Sequence, residues 1–352
     1  MKNLHNRVSR DLLLDRLAKD DTPRITFSFY KYAHILNPPF FRDHLYTKLS
    51  EHGVLGRIYV SKEGINGQAS VIAKNFEHCK NVLYDITFLD GCRLNTAIED
   101  DGKSFFKLTI KVRNKIVADG LDDETFDTTN RGIHLEAVEF NNLADQDNTV
   151  IVDMRNHYES EVGHFEEAIC PDVETFRESL PIVEKILTPH KEENILLYCT
   201  GGIRCEKASA YFKHKGFKNV HQLNGGIIEY ARQCKEKGIE NKFKGKNFVF
   251  DERLGEAISN DVISKCHQCG ASSNDHKNCK NDHCHILFIQ CDNCKKIYNG
   301  CCSLKCKDFY ALSESKQETY KNDITFNGTL SGKGRYNSLN KDEMLILPDK
   351  KI

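Results

Sequence analysis

No apolar run in this 352-residue chain approaches the length needed to cross a bilayer. The first 24 residues alternate charges around a short Leu12-Leu13-Leu14 cluster, without the apolar core of an export signal. These absences point to a cytoplasmic protein with no membrane partner. Bulk charge is missing too: 50 Lys and Arg stand against 51 Asp and Glu, a formal net charge of −1. That excludes a protein that coats nucleic acid by overall charge, so any basic patch must be local. No nucleotide or flavin fingerprint is present. What the chain does have is cysteine, 15 in all. Without an export signal these read as reduced thiols, metal ligands or catalytic groups rather than a disulfide framework.

The length implies two or three domains. After an N-terminal leader (1–23), residues 24–120 show strand 25–30, helix 39–52, strands 56–61 and 67–72, helix 76–88 and strand 106–112. This βαββαβ order predicts a ferredoxin-like (acylphosphatase-like) α+β sandwich, with Gly64, Asn66 and Gly67 turning the chain between its middle strands. An acidic, polar connector covers 121–145. Short apolar strands at 149–152, 168–169, 195–198 and 220–223 alternate with helices, predicting a compact parallel α/β domain over 146–240. A basic and aromatic connector (241–265) leads to a cysteine-rich module (266–310). The polar tail (311–352) carries Asn327, Gly328, Gly332 and Gly334. Its end, from 337 on, is expected to be flexible, although Met344-Leu345-Ile346-Leu347 could dock.

The sharpest chemical signal is Cys199, which closes the apolar run Ile195-Leu196-Leu197-Tyr198 and opens the loop Thr200-Gly201-Gly202-Ile203-Arg204 before a helix. Two glycines let successive N–H groups turn inward as a nest around an anion, and the helix adds the positive end of its dipole. The amides of Thr200, Gly201, Gly202 and Ile203, with Arg204, are therefore expected to depress the Cys199 pKa and expose a nucleophilic thiolate. Cys205 is a candidate resolving thiol. Cysteine phosphatases space their Cys and Arg by five residues, and here Arg204 comes one residue earlier. The shorter loop resembles that of rhodanese-type sulfurtransferases, whose cradle suits a persulfide. Asp153-Met154-Arg155, Tyr158-Glu159, Gly163-His164 and Leu223-Asn224-Gly225-Gly226 match the same pattern. There the Asp153 and Arg155 pair mainly braces the fold.

Nine cysteines lie between Cys266 and Cys306. The pairs Cys266/Cys269, Cys279/Cys284, Cys291/Cys294 and Cys302/Cys306 are spaced so that both members can reach one tetrahedral ion, giving one or two structural zinc sites. A segment this short has little core of its own, so bound metal would contribute much of its folding energy. How the pairs combine stays open, His276, His283 and His285 could each replace a cysteine, and Cys301 has no partner in this scheme. Upstream, Lys242, Lys244, Lys246, Phe248, Phe250 and Arg253 could hold phosphates and stack bases. A solvated linker followed by a docked edge strand explains them equally well.

The succession of these three domains, with Lys62-Glu63-Gly64-Ile65-Asn66-Gly67, residues 199–206, residues 248–253 and Cys266-His267-Gln268-Cys269-Gly270, resembles the oxygen-dependent tRNA uridine hydroxylase family (TrhO) over about residues 25–306. The resemblance implies conversion of wobble uridine in the tRNA anticodon arm to 5-hydroxyuridine, with molecular oxygen and an unidentified electron donor, and Cys199 as the active cysteine. A sulfurtransferase that carries a Cys199 persulfide is the competing reading, and a non-enzymatic scaffold a third.

Overall fold

The computed structural model describes residues 4, 8–122, 125–329 and 335–347. It divides into two compact units, the larger comprising 1–160, 164–243 and 247–259, and the smaller 161–163, 244–246 and 260–352.

The larger unit begins within the residues read as a leader. Helix α1 (Arg10–Lys19) buries Leu13 and Leu17. Then come β1 (Arg24–Tyr32), α2 (Pro38–Glu51), β2 (Leu55–Ser61), β3 (Gly64–Ile72), α3 (Phe76–Tyr84), β4 (Asn95–Thr96) and β5 (Leu108–Val112). Helix α2 starts where Asn37 accepts the Phe40 N–H at 3.1 Å and two prolines occupy the first turn, where no N–H is needed. The sheet order is β4-β1-β3-β2-β5. The expected ferredoxin-like order is present, but a different segment fills its fourth place. The segment taken as the fourth ferredoxin-like strand is a fifth, edge strand parallel to β2, and the fourth place, beside β1, belongs to the two-residue β4. Alternation along β1 sends Phe27 and Phe29 into a core with Ile58, Val60, Leu45 and Leu83. Thr26, Ser28, Tyr30 and Tyr32 therefore share the opposite face.

The rest of this unit holds β6 (Ile133–Leu135), α4 (Ala137–Ala144), β7 (Thr149–Asp153), α5 (His157–Ser160), β8 (Gly163–Phe165), α6 (Phe176–Leu187), β9 (Asn194–Tyr198), α7 (Ile203–His214), β10 (Asn219–Leu223) and α8 (Gly226–Lys237). Strands β6-β10-β9-β7 form one parallel sheet. Strand β6 and helix α4 fall in the stretch read as a connector, so the parallel sheet begins earlier than its apolar runs announced. Residues 168–169, expected as a strand, make only an isolated bridge from Ile169 to Val152. Central β9 is buried on both faces: Ile195 and Leu197 pack toward α6 and α7, Leu196 and Tyr198 toward α4 and α8. Strand β11 (Phe243–Asn247), whose residues 244–246 belong to the smaller unit, and strand β12 (Glu256–Ala257) follow.

The smaller unit carries the antiparallel hairpin of β13 (His276–Asn278) and β14 (Leu287–Ile289), then α9 (Asp292–Ile297), α10 (Leu304–Tyr310) and α11 (Glu314–Tyr320). Within the tail read as flexible from residue 337 on, residues 341–343 make hydrogen bonds to the rest of the unit. The N–H groups of Leu304 and Lys305 donate to the carbonyls of Lys341 and Glu343, and Tyr298 bonds Asp342 at 2.9 Å. Met344 and Ile346 stay exposed rather than docked. Gly332, Gly334 and 348–352 lie outside the described residues. Among the described residues no helix is long and apolar enough to cross a membrane.

Candidate active site and metal centres

Strand β9 delivers Cys199 to its carboxyl end, where open parallel sheets place their ligands. The loop that follows is fixed from two sides. Below it, the N–H groups of Ile227 and Ile228, at the start of α8, donate to the carbonyls of Cys199 (3.0 Å) and Thr200 (3.3 Å). A Cβ on Gly226 would lie 2.5 Å from both carbonyl oxygens, so Leu223-Asn224-Gly225-Gly226 matters as a platform for the loop. Above it, Gly202 adopts φ +99°, and a Cβ there would sit 2.8 Å from the Tyr30 hydroxyl. With its carbonyls held down, the loop turns N–H groups toward sulfur: Gly202 donates to the Cys199 Sγ at 3.2 Å.

Cys199 is fully buried. Burial pushes its thiol up, but the Cys205 thiol, the Arg204 charge and the N–H groups of Cys205 and Arg204 outweigh it and bring the pKa down to about 6. Cys205 moves the other way, raised first by burial and then by its bond to Cys199, so it stays a neutral donor beside an anion. Arg204 does not face the sulfur alone. Its guanidinium forms a fork with Glu159, at 2.6 and 2.8 Å, and reaches the Thr200 hydroxyl at 3.3 Å. Glu159 is completely buried and forty-five residues away in sequence, so loop spacing alone could not reveal this partner. Asp153 and Arg155 form a second buried fork, with Arg155 over the rings of Tyr198 and Phe243. That pair braces the strand end without reaching the cavity.

A cavity of about 500 Å³ opens beside Cys199, between the loop and the polar face of the first sheet. Its wall includes Tyr30, Tyr59, Asn66, Asn95, Arg204 and Phe250. The residues from the N-terminal sheet were missed by motif reasoning. Their signal was the alternation Thr26-x-Ser28-x-Tyr30, which leaves one sheet face polar and aromatic. Behind the loop, Glu206 accepts from Tyr30 at 3.1 Å and meets His134 at 2.9 Å and Arg131 at 3.1 Å. Burial raises the Glu206 pKa, but the His134 bond and the Arg131 charge outweigh this and hold it below the ordinary value.

The residues expected to grip RNA disperse. Phe250 and Arg253 line the cavity, but Arg253 is held by Asp251 at 2.6 Å and Glu256 at 3.0 Å. Phe248 is buried edge-on against Tyr158 and Phe250, which leaves no ring face for a base. Lys242 is ion-paired with Asp145. Lys244 and Lys246 lie on β11 in the smaller unit, where Lys246 binds Asp275 at 2.6 Å.

The eight paired cysteines gather into two sets of four, Cys266, Cys269, Cys291 and Cys294 in one and Cys279, Cys284, Cys302 and Cys306 in the other. The pairs therefore alternate, first with third and second with fourth. All fifteen cysteines are free thiols. Sulfurs 3.6 Å apart (Cys269 to Cys291, Cys284 to Cys302, Cys302 to Cys306) fit the edge of about 3.8 Å that a tetrahedron with 2.3 Å metal–sulfur bonds requires. Both sets can hold a metal ion. His276, His283 and His285 belong to neither, and Cys301 is buried beside the second set without joining it.

Three family profiles match the chain: the UPF0176 acylphosphatase like domain at residues 24–116, the Rhodanese-like domain at 136–233 and the Rhodanase C-terminal at 244–307. A tRNA uridine(34) hydroxylase of Photorhabdus laumondii is 54% identical over 318 residues, 90% of each chain. One from Pectobacterium carotovorum is 55% identical over 322 residues, 91% of each. Among solved structures, the Rhodanese-like domain of an Anabaena protein covers 32% of this chain and 78% of its own, with 20% identity and a TM-score of 0.25. Identity above one half over about nine-tenths of each chain makes this chain a member of the tRNA uridine(34) hydroxylase family.

Proposed function

We propose that the protein hydroxylates the wobble uridine of tRNA in the cytoplasm, giving 5-hydroxyuridine, with Cys199 as its nucleophile. One observation carries this reading: a thiolate stabilised at neutral pH stands on the wall of a cavity sized for a nucleobase and lined by tyrosines and amides. Two of the three arginines lining the cavity, Arg204 and Arg253, are already neutralised by carboxylates, which weakens the case for a sulfur-transfer dianion beside the sulfur. Single-stranded anticodon loops can present a base turned out of its stack.

In this reading the Cys199 thiolate adds to C6 of uracil and makes C5 electron-rich. C5 gives its electron pair to dioxygen. An external donor supplies two electrons, and three protons, one of them returned when C5 later loses its own, complete cleavage of the O–O bond to a C5 hydroxyl and water. Loss of the C5 proton then expels the thiolate and restores the ring. Arg204, locked to Glu159, stabilises the sulfur from a fixed position, while Cys205 serves as a thiol donor to it rather than as a second nucleophile. Cys199 lines the cavity while exposing almost none of its surface to solvent, so the base must approach the sulfur from within that cavity. The two cysteine sets hold one zinc ion each and maintain the C-terminal module.

Nucleoside mass spectrometry of tRNA tests the proposal. A deletion strain complemented with wild type regains 5-hydroxyuridine, and one complemented with Cys199→Ala does not. Restoration by Cys199→Ala would overturn it.

A further inference from the structure

The N-terminal sheet carries one polar row across four strands. Asn95 on β4 pairs with Ser28 on β1, Ser28 with Gln68 on β3, and Gln68 with Arg57 on β2. All four line the Cys199 cavity. The row's inner end abuts the loop: a Cβ on Gly201 would lie 3.8 Å from Asn95 Nδ2 and 3.9 Å from Ser28 Oγ. Next to it runs an aromatic row in which Tyr30 and Tyr59 flank Asn66.

Asn95 is the anomaly in this arrangement. It is 3% exposed, and its Oδ1 has no hydrogen-bond partner. A buried amide oxygen without a donor is costly, and folded proteins seldom leave one so. Its backbone is already paired in the sheet, so strand formation gives no reason for a carboxamide at this position. A ligand that brings a donor does. Uracil presents an N3–H donor between two carbonyl acceptors, and a carboxamide matches that edge by accepting from N3–H and donating to O4. Tyrosines in the adjacent row offer faces on which the ring can rest.

We infer that Asn95 is the positioning residue that reads the uracil edge, accepting its N3–H and so setting the ring against the Cys199 loop. The inference rests on the hydroxylation reading and extends it to recognition of the base.

The test compares anticodon stem-loop RNAs that carry uridine or 3-methyluridine at position 34. Methylation removes the donor that Asn95 Oδ1 needs. Wild-type kcat/KM is expected to fall about 10- to 100-fold on methylation, the range for leaving a buried acceptor unpaired. In Asn95→Ala the two substrates should come within about threefold of each other. Asn95→Asp, which keeps an acceptor, should retain the discrimination. Binding of both RNAs to Cys199→Ser reports the same ratio without chemistry, so failure of the hydroxylation reading and failure of this inference give different results. If Asn95→Ala lowers both substrates equally and leaves the ratio at its wild-type value, Asn95 is structural and the inference is overturned.

Discussion

Replacing Glu159 with glutamine removes the carboxylate that holds Arg204 and leaves the shape of the site intact. In the wild type the guanidinium is 9% exposed and the carboxylate fully buried, with two bonds of 2.6 and 2.8 Å between them. Breaking a buried pair by removing one partner costs about 3–5 kcal/mol, because the remaining charge stays desolvated. Glutamine keeps one acceptor oxygen and Thr200 still touches the guanidinium, so the low end, about 3 kcal/mol, applies. At about 2–4 °C per kcal/mol for a unit of this size, the melting temperature should fall by roughly 6–12 °C. The thiolate should respond in the opposite sense. Once Glu159 no longer neutralises it, the Arg204 charge acts on Cys199 more strongly, and the thiol pKa should fall below its value of about 6. Calorimetry reads the first effect, and pH-dependent alkylation of the Cys199 peptide, quantified by mass spectrometry, reads the second. A melting temperature within about 2 °C of wild type, or a thiol pKa that rises, would refute the argument that the fork is an uncompensated charge in waiting.

Alkylation of wild-type Cys199 should climb through pH 6 and level off above 7, whereas an ordinary thiol, at 9.0, would keep climbing. Because the folded pKa is depressed, the thiolate's contribution to stability is full above about pH 9 and gone below about 6, and Cys199→Ser should remove that slope. Elemental analysis should find two zinc ions per chain, and a chelator should abolish hydrogen-exchange protection over residues 266–306. Protection that outlasts metal removal would show a fold independent of the ions. Arg57→Ala, at the outer end of the polar row, should weaken tRNA binding and reduce the slope of log affinity against log salt by about 0.7 to 0.9. An unchanged slope would mean that Arg57 meets no phosphate.

Long apolar runs announced most of the elements that matter, and residue order at Cys199 announced its chemistry. Strand β9 and the 199–204 loop were legible because both depend on local rules: a buried strand is apolar on both faces, and an anion nest needs glycine. Strand β4 was not, since two residues, Asn95 and Thr96, carry no hydrophobic pattern, and their place beside β1 comes from tertiary pairing. Strand β6 is three residues long and hides in polar sequence for the same reason. Glu159 looked like one more match to a family pattern until folding carried it to Arg204. The alternating union of cysteine pairs was also invisible, because every pair has ligand spacing and nothing local favours one partner over another.

That alternation has a consequence for how the protein is made. As the chain leaves the ribosome, Cys266 and Cys269 emerge first, and the next pair to appear, Cys279 and Cys284, belongs to the other set. A metal ion captured at that moment would join two pairs that the finished protein keeps apart. Neither correct set is complete before Cys294 is synthesised, and the second must wait for Cys306. Metal supply too early in translation would thus favour a miswired knot, one that only ligand exchange could undo.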